Sequence, residues 1–307
     1  MPMTSERGHR RPRRSGHLVS AVLLALALAV LSGCAAEGEA LPAAQPPTDP
    51  GFGHVHGLGV NPADGRLYAA THFGLWAADD GRLERVGDAH HDLMGFTVLG
   101  EDRFAASGHP LLDEDDLPPH LGYMVSDDSG HTWRSVSLLG EADFHALERV
   151  ADGLYGYDAT GGRLLHSPDG EDWEARADDV RLPAIAVDPD DDTHLLAAKA
   201  DDRTESDAQL VRSDDGGRSW EPVDAPEAPV RLSWTAPDRL FLVDEHARLH
   251  RSRDGGGSWV LQGDLPAVPG ALADHDGRLY ADAGDAILVS TDDGNSWAPY
   301  ATSERES

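Results

Sequence analysis

Ser126-Asp-Asp-Ser-Gly-His-Thr-Trp133 decides the fold, because the chain repeats it. Ser213-Asp-Asp-Gly-Gly-Arg-Ser-Trp220, Ser252-Arg-Asp-Gly-Gly-Gly-Ser-Trp259 and Ser290-Thr-Asp-Asp-Gly-Asn-Ser-Trp297 are full copies, and Ser167-Pro-Asp-Gly-Glu-Asp-Trp173 is one residue shorter. Their serines lie 41, 46, 39 and 38 residues apart. A period of about 40 marks a repeat architecture, in which each unit buries its apolar face against the next. Within the phrase an Asp carboxylate (Asp128, Asp169, Asp215, Asp254, Asp292) accepts N–H bonds from its own turn. Gly supplies a positive φ, and the Trp opens the next strand and packs between sheets. These five Asp residues are read as structural.

Each phrase falls between the third and fourth strands of a unit, and two further strands precede it. In the first unit these are His54-Val-His-Gly-Leu-Gly-Val60 and Arg66-Leu-Tyr-Ala-Ala70, joined by the turn Asn61-Pro-Ala-Asp-Gly65. Short β-rich runs punctuated by Gly, Asp and Pro turns indicate an all-β chain folded as a β-propeller. Six four-stranded blades are expected over 52–90, 91–141, 142–180, 181–227, 228–265 and 266–301, with seven blades, one irregular, as the alternative. The first blade has a worn turn, Ala77-Ala-Asp-Asp-Gly81, without its Trp. The repeated phrase resembles the Asp-box, or BNR repeat, of the sialidase superfamily, sortilin-like receptors and several bacterial propellers. In those proteins it sits on the face away from the ligand and takes no part in catalysis.

The propeller is expected over 52–301. Residues 1–34 read as an export signal: Arg7, Arg10, Arg11, Arg13 and Arg14, then an apolar run from Leu18 to Leu31. The run is shorter than the roughly 20 residues of a membrane span. It ends at Leu31-Ser32-Gly33-Cys34, which resembles the lipobox of bacterial lipoproteins and implies a diacylglyceryl group on Cys34. Cys34 is the only Cys, so no internal disulfide exists. General and twin-arginine export both fit. Residues 35–51, with four prolines, form a flexible tether, and 302–307 a polar tail. The expected location is the cell envelope, outside the cytoplasm, with lipid as the only membrane contact, and the expected state is a monomer.

The formal charge of −30 becomes −34 once the signal, with five Arg and one Glu, is set aside. Such a surface repels phosphate backbones, which argues against nucleic-acid partners, and it concentrates cations.

In a propeller the first strand of each blade lines the central channel. Aligning the blades gives an inward ring of His56, Met94, His145, Pro183, Val230 and Gly270. Two residues earlier, on the same side of each strand, stand His54, Asp92 and Asp143. His72 and His109 fall at second-strand ends on this face, His90 and His91 in the loop before Asp92, and an acidic insert from His109 to His120 overhangs it. His131, His194, His246, His250 and His275 read as surface residues. Imidazole with thioether suits copper, and imidazole with carboxylate suits zinc. A metal site from His54, His56, Met94 and His145, with His72 and His109 nearby, is expected, copper ahead of zinc.

His54 to Leu58, Thr71 to Leu75, Met94 to Phe96 and Ser107 to Pro110 stand in the same order as in a bacterial lipoprotein family. That family is labelled glycosyl hydrolase or exo-α-sialidase-like, and the resemblance spans the mature chain. It implies a hydrolase acting on a glycan, or, by likeness to sortilin-like and photosystem-assembly propellers, a scaffold for an envelope protein. Sialidases use three convergent arginines, a Tyr activated by Glu, and an Arg-Ile-Pro-type motif in the first blade. The motif is absent, Arg231 falls one residue off the inward ring, and Tyr157 has no Glu partner in view. Asp92, Asp143 and Asp158 remain as carboxylates for a two-acid glycosidase.

Overall fold

The computed structural model describes residues 51–111, 116–201 and 208–303. The expected signal, Cys34 and the tether through Pro50 lie outside them, as do 112–115, 202–207 and 304–307. The described residues contain strands and turns and no helix.

The strands follow one another as antiparallel four-stranded meanders. The first comprises Val55–Val60, Leu67–Thr71, Gly74–Asp79 and Arg82–Val86, and the second Asp92–Gly100, Arg103–His109, Tyr123–Ser126 and Arg134–Ser137. The third comprises Phe144–Val150, Gly153–Asp158, Arg163–Ser167 and Glu174–Ala177. The fourth has Ala184–Asp188, Asp191–Lys199, Gln209–Ser213 and Glu221–Pro222, and the fifth Pro229–Ala236, Arg239–Asp244, Arg248–Ser252 and Val260–Asp264. Leu272–His275, Arg278–Ala283, Ala286–Ser290 and Ala298–Thr302 complete the series. By hydrogen bonding these form four separate four-stranded sheets and one eight-stranded sheet. The latter joins the first and last meanders through a single parallel pair, Thr302 with Arg82. The final strand therefore reaches one residue into the expected polar tail. The first strands touch one another in cyclic order, the last returning to the first. The result is a propeller-like arrangement of small sheets.

Apolar cores fill the seams between neighbouring meanders. Leu75, Phe104 and Trp133 share the first seam, and Tyr123, Phe144 and Leu165 the next. Second strands are buried on both faces, so Leu67–Thr71 and Leu240–Asp244 read as continuous buried runs rather than alternating ones.

The recurrent turn sits on these seams. Ser126 Oγ donates to Asp128 Oδ1 at 2.8 Å and accepts from Gly130 N at 2.8 Å. Asp128 Oδ1 accepts from Thr132 N at 2.9 Å and Oδ2 from Thr132 Oγ1 at 2.6 Å. The same set recurs around Asp215, Asp254 and Asp292. In the short copy Asp169 accepts instead from Glu171 N and Asp172 N. Gly130 has φ of 87°, and a Cβ there would lie 2.1 Å from Leu75 Cδ2 of the preceding meander, so the turn docks closely on its neighbour.

These bonds favour the ionised carboxylate. Hydrogen bonds from Ser219 and Ser213 hold Asp215 down at about 2, and comparable bonds lower Asp169, Asp254 and Asp292. At Asp128 burial pushes upward, but Thr132 and Ser126 outweigh it. A carboxyl with a depressed folded pKa adds stability above its ordinary value, and that stability is lost as pH falls through the folded value. The difference in Tm between wild type and Asp215→Asn is therefore expected to shrink as pH falls from about 5 to about 2. A gap that stays constant over that range would show that the carboxylate charge does not hold the turn.

Candidate metal centre at the channel mouth

The first strands surround a central cavity of about 1340 Å³, whose lining includes His56, Met94, His145, Pro183, Arg231 and Gly270. Five of these six are the expected ring. The fifth position is corrected, since Arg231 and not Val230 lines the cavity. The reason is a β-bulge. Pro229 pairs with Asp244 and Arg231 with Val243, so Val230 is an extra residue and the two-residue alternation slips there.

Bulges also shape the histidine positions. Val55 pairs with Thr71 and Gly57 with Ala70, which leaves His56 as the extra residue. Phe144 pairs with Asp158 and Ala146 with Tyr157, which leaves His145. In the second meander the irregularity falls between Leu93 and Phe96, at Met94-Gly95. Bulged backbone re-aims side chains out of the pleat.

The expected single shell resolves into two triads, each recruiting an Asp. In the first, His56 Nε2 lies 3.2 Å from His72 Nδ1, and Asp92 Oδ1 lies 2.9 Å from His72 Nδ1 and 3.7 Å from His56 Nε2. His54 packs beside this set, its ring centroid 5.0 Å from that of His56 and 5.8 Å from that of His72. In the second, His109 Nε2 lies 3.4 Å from Asp143 Oδ1 and His145 Nε2 lies 3.0 Å from Asp143 Oδ2. Each triad brings its donor atoms within 4.8 Å of one another. Met94 stands between His56 and His145 in the ring order and lines the same cavity.

Both triads use one structural position. In four meanders an N–H just past the second strand returns to a carbonyl one to three residues before the first strand: His72 to His54 at 3.1 Å, Ala159 to Asp143 at 2.9 Å, Ala200 to Arg181 at 3.0 Å and Glu245 to Ala228 at 3.0 Å. In the second meander His109 pairs with Asp92. Where that position is His, in the first two meanders, it meets an Asp at the start of the next one. At the fifth, Glu245 lies near Glu227 and His246, but Glu227 is engaged by Arg248 at 3.1 Å.

The electrostatics suit cation binding. Burial, with His72, His54, His145 and Arg231 adding to it, pushes the His56 imidazole down to about 3. A neutral ring offers a lone pair. Burial pushes Asp143 upward, but His145, His109 and Thr160 outweigh it and keep it an anion. Asp92 Oδ1 and Asp143 Oδ1 are both shielded from solvent and accept no hydrogen bond from a described group. A tetrahedral ion with ligand bonds of about 2.0–2.1 Å sets its donors about 3.3–3.4 Å apart, a spacing that falls within the first triad's range of 2.9–3.7 Å.

Asp158 is spent on structure. It is fully buried and accepts from Arg163 Nη2 at 2.6 Å, Arg163 Nε at 3.1 Å, Gly161 N at 3.1 Å and Asp143 N at 3.1 Å. It is corrected from a catalytic candidate to a loop anchor. Asp92 and Asp143, the other two carboxylates, belong to the triads. His250 is corrected as well, being buried and bonded to Asp244 at 2.9 Å. His194 is half-buried, edge-on to Trp234 at 5.2 Å. His90 and His91 are buried in their loop. Deeper in the channel, burial pushes the Glu148 carboxyl up to about 8, a group that sequence reasoning passed over. Its place on the inner strand of the third meander was the available signal.

No protein-family model and no curated protein matches the chain. Solved structures do. A chain of a nidogen/laminin complex is 12% identical with a TM-score of 0.60, over 77% of this chain and 93% of that one. Virginiamycin B lyase from Staphylococcus aureus is 13% identical with a TM-score of 0.55, over 84% and 87%. The GH74 xyloglucanase from Xanthomonas campestris is 19% identical with a TM-score of 0.54, over 85% of this chain and 46% of the enzyme, so the chain spans about half that enzyme's length. At these identities the likeness is one of fold, and that fold is the β-propeller.

Proposed function

We propose that this protein is an extracytoplasmic propeller of six four-stranded blades, anchored through lipid on Cys34, that binds a transition-metal ion at its channel mouth. The single parallel pair at Thr302 and Arg82 favours counting the eight-stranded sheet as two blades. The observation that carries the metal reading is the first triad: two imidazoles and a carboxylate oxygen at 2.9–3.7 Å from one another, with His56 held neutral and Asp92 Oδ1 accepting no hydrogen bond from a described group. Two nitrogens and one oxygen form a borderline donor set that takes Cu²⁺ or Zn²⁺, Cu²⁺ the more tightly, and Met94 on the same ring adds a soft donor for copper. The acidic surface raises the local cation concentration. The role is metal handling outside the membrane.

Metal content and competitive titration of the full-length protein test this. Wild type is expected to retain copper or zinc through gel filtration, and His56→Ala to weaken the affinity of the first triad on the order of a hundredfold. Equal content and affinity in the two proteins would sink the proposal.

A further inference from the structure

We infer that the mouth carries a second, separate site for a divalent first-row transition ion, held by His109, Asp143 and His145. This rests on the mouth being a metal-binding surface, but not on the first triad being filled.

The tautomer of His109 supplies the argument. Its Nδ1 lies 2.9 Å from the Pro119 carbonyl oxygen. A carbonyl only accepts, so Nδ1 holds the proton, and neutral His109 presents a bare lone pair at Nε2. That lone pair faces Asp143 Oδ1 across 3.4 Å. Asp143 is only 3% exposed, and its Oδ1 has no hydrogen bond from any described group. Two acceptors facing each other in a buried place repel unless positive charge lies between them. A proton on Nε2 would supply it, as would a metal ion, for which 3.4 Å is a natural donor separation.

Three further features favour the ion. His145 Nε2 stands 3.0 Å from Asp143 Oδ2, so a second imidazole serves the same carboxylate. Thr160 Oγ1 donates to Oδ2 at 3.1 Å, and the Pro119 carbonyl orients His109, which are the outer contacts that fix metal ligands in place. The geometry also repeats the first triad one blade on, with a second-strand His against the Asp that opens the next meander. Both imidazoles are about one-third exposed, which gives an ion a way in.

The test counts Zn²⁺ and Cu²⁺ per chain in full-length wild type, His72→Ala, His109→Ala and the double variant, with Asp143→Asn as a second probe of the same site. Tm measured in chelator confirms that each variant folds. Two ions in wild type, one in each single variant and in Asp143→Asn, and none in the double variant are expected, with the d–d absorption of bound Co²⁺ halved in each single variant. One ion lost from His72→Ala but kept in His109→Ala overturns the second site and leaves the first standing. One ion lost from His109→Ala but kept in His72→Ala does the reverse. A single ion in wild type that is missing from both single variants means one shared site and overturns the inference, and no ion in wild type overturns both.

Discussion

Gly108→Ala is expected to destabilise the protein by about 3 kcal/mol or more, lowering Tm by roughly 6–12 °C, and to weaken both metal triads together. Gly108 has φ of 154°, and a Cβ built on it would lie 1.7 Å from the Asp92 carbonyl oxygen and 2.8 Å from its carbon. Both obstacles are backbone, so no rotamer change relieves them and the first two strands of the second meander must part. Those strands hold Asp92 and His109 opposite each other, and each belongs to a different triad. Parting them moves one ligand of each site. Gly130→Ala, in the same meander as Gly108, is the control, because its Cβ would meet Leu75 Cδ2 of the preceding meander, the end of a side chain rather than backbone. It is expected to lower Tm while leaving metal content unchanged. Thermal melts in chelator separate lost packing from lost metal. A Gly108→Ala protein with wild-type Tm and wild-type metal content would show that the close approach to Asp92 is not a constraint.

The repeat was legible because the turn chemistry is local. Ser126, Asp128, Gly130 and Thr132 satisfy one another within seven residues, so their spacing survives in the four full copies and can be counted in the sequence. The order of the strands and the inward position of His56, Met94 and His145 followed from that count. What escaped was non-local or broke the alternation. A bulge changes which residue faces inward without altering residue type, so nothing in Pro229-Val230-Arg231 signalled that Arg231 would line the channel. The sorting of four of the six expected ligands into two triads, each completed by an Asp, depended on contacts between adjacent sheets, which a blade-by-blade alignment cannot rank. Asp92 and Asp143 were visible as carboxylates at the mouth, but His72 and His109, which face them, lie at second-strand ends of the preceding meander.

The position next to those triad histidines shows how one scaffold site serves several ends. Thr71, Gly108, Asp158 and Asp244 all lie at the end of a second strand. Thr71 bonds its own hairpin through the Gly74 carbonyl, and Gly108 lets the backbones close on each other. Asp158 and Asp244 collect loop donors. The neighbouring residue is thus held in place in the first five meanders, and chemistry at the mouth is decided by whether it is His, as at 72 and 109, Ala, as at 159 and 200, or Glu, as at 245. On the proposed reading, metal binding depends on two adjacent junctions, while the others serve stability.

Asp244→Ala is expected to show the stability side of that division, at a cost of about 3–5 kcal/mol. The carboxylate is fully buried. Oδ1 accepts from His246 N at 2.9 Å and Arg248 N at 3.0 Å, while Oδ2 accepts from Arg248 Nε and His250 Nε2, both at 2.9 Å. Removing it leaves two amides and a buried imidazole without their acceptor, whereas Arg248 keeps Glu227 at 3.1 Å. Asp244→Asn preserves the shape and one acceptor, but turns an NH₂ toward Arg248 Nε, which cannot accept, so it should fall between wild type and Ala. Burial raises the Asp244 pKa, yet His250 and the Arg248 and His246 donors outweigh it and the net shift is downward. Its contribution is therefore present above the ordinary Asp value and fades as pH falls below it, so the gap between wild type and Asp244→Ala should narrow in acid. Urea midpoints at pH 7 and pH 3 measure this. Because Asp244 lies on the fifth meander, away from both triads, metal content at temperatures well below Tm should equal that of wild type. A loss under 1 kcal/mol at pH 7 would mean that water replaces the carboxylate readily, and that the fifth loop is not held by its buried charge.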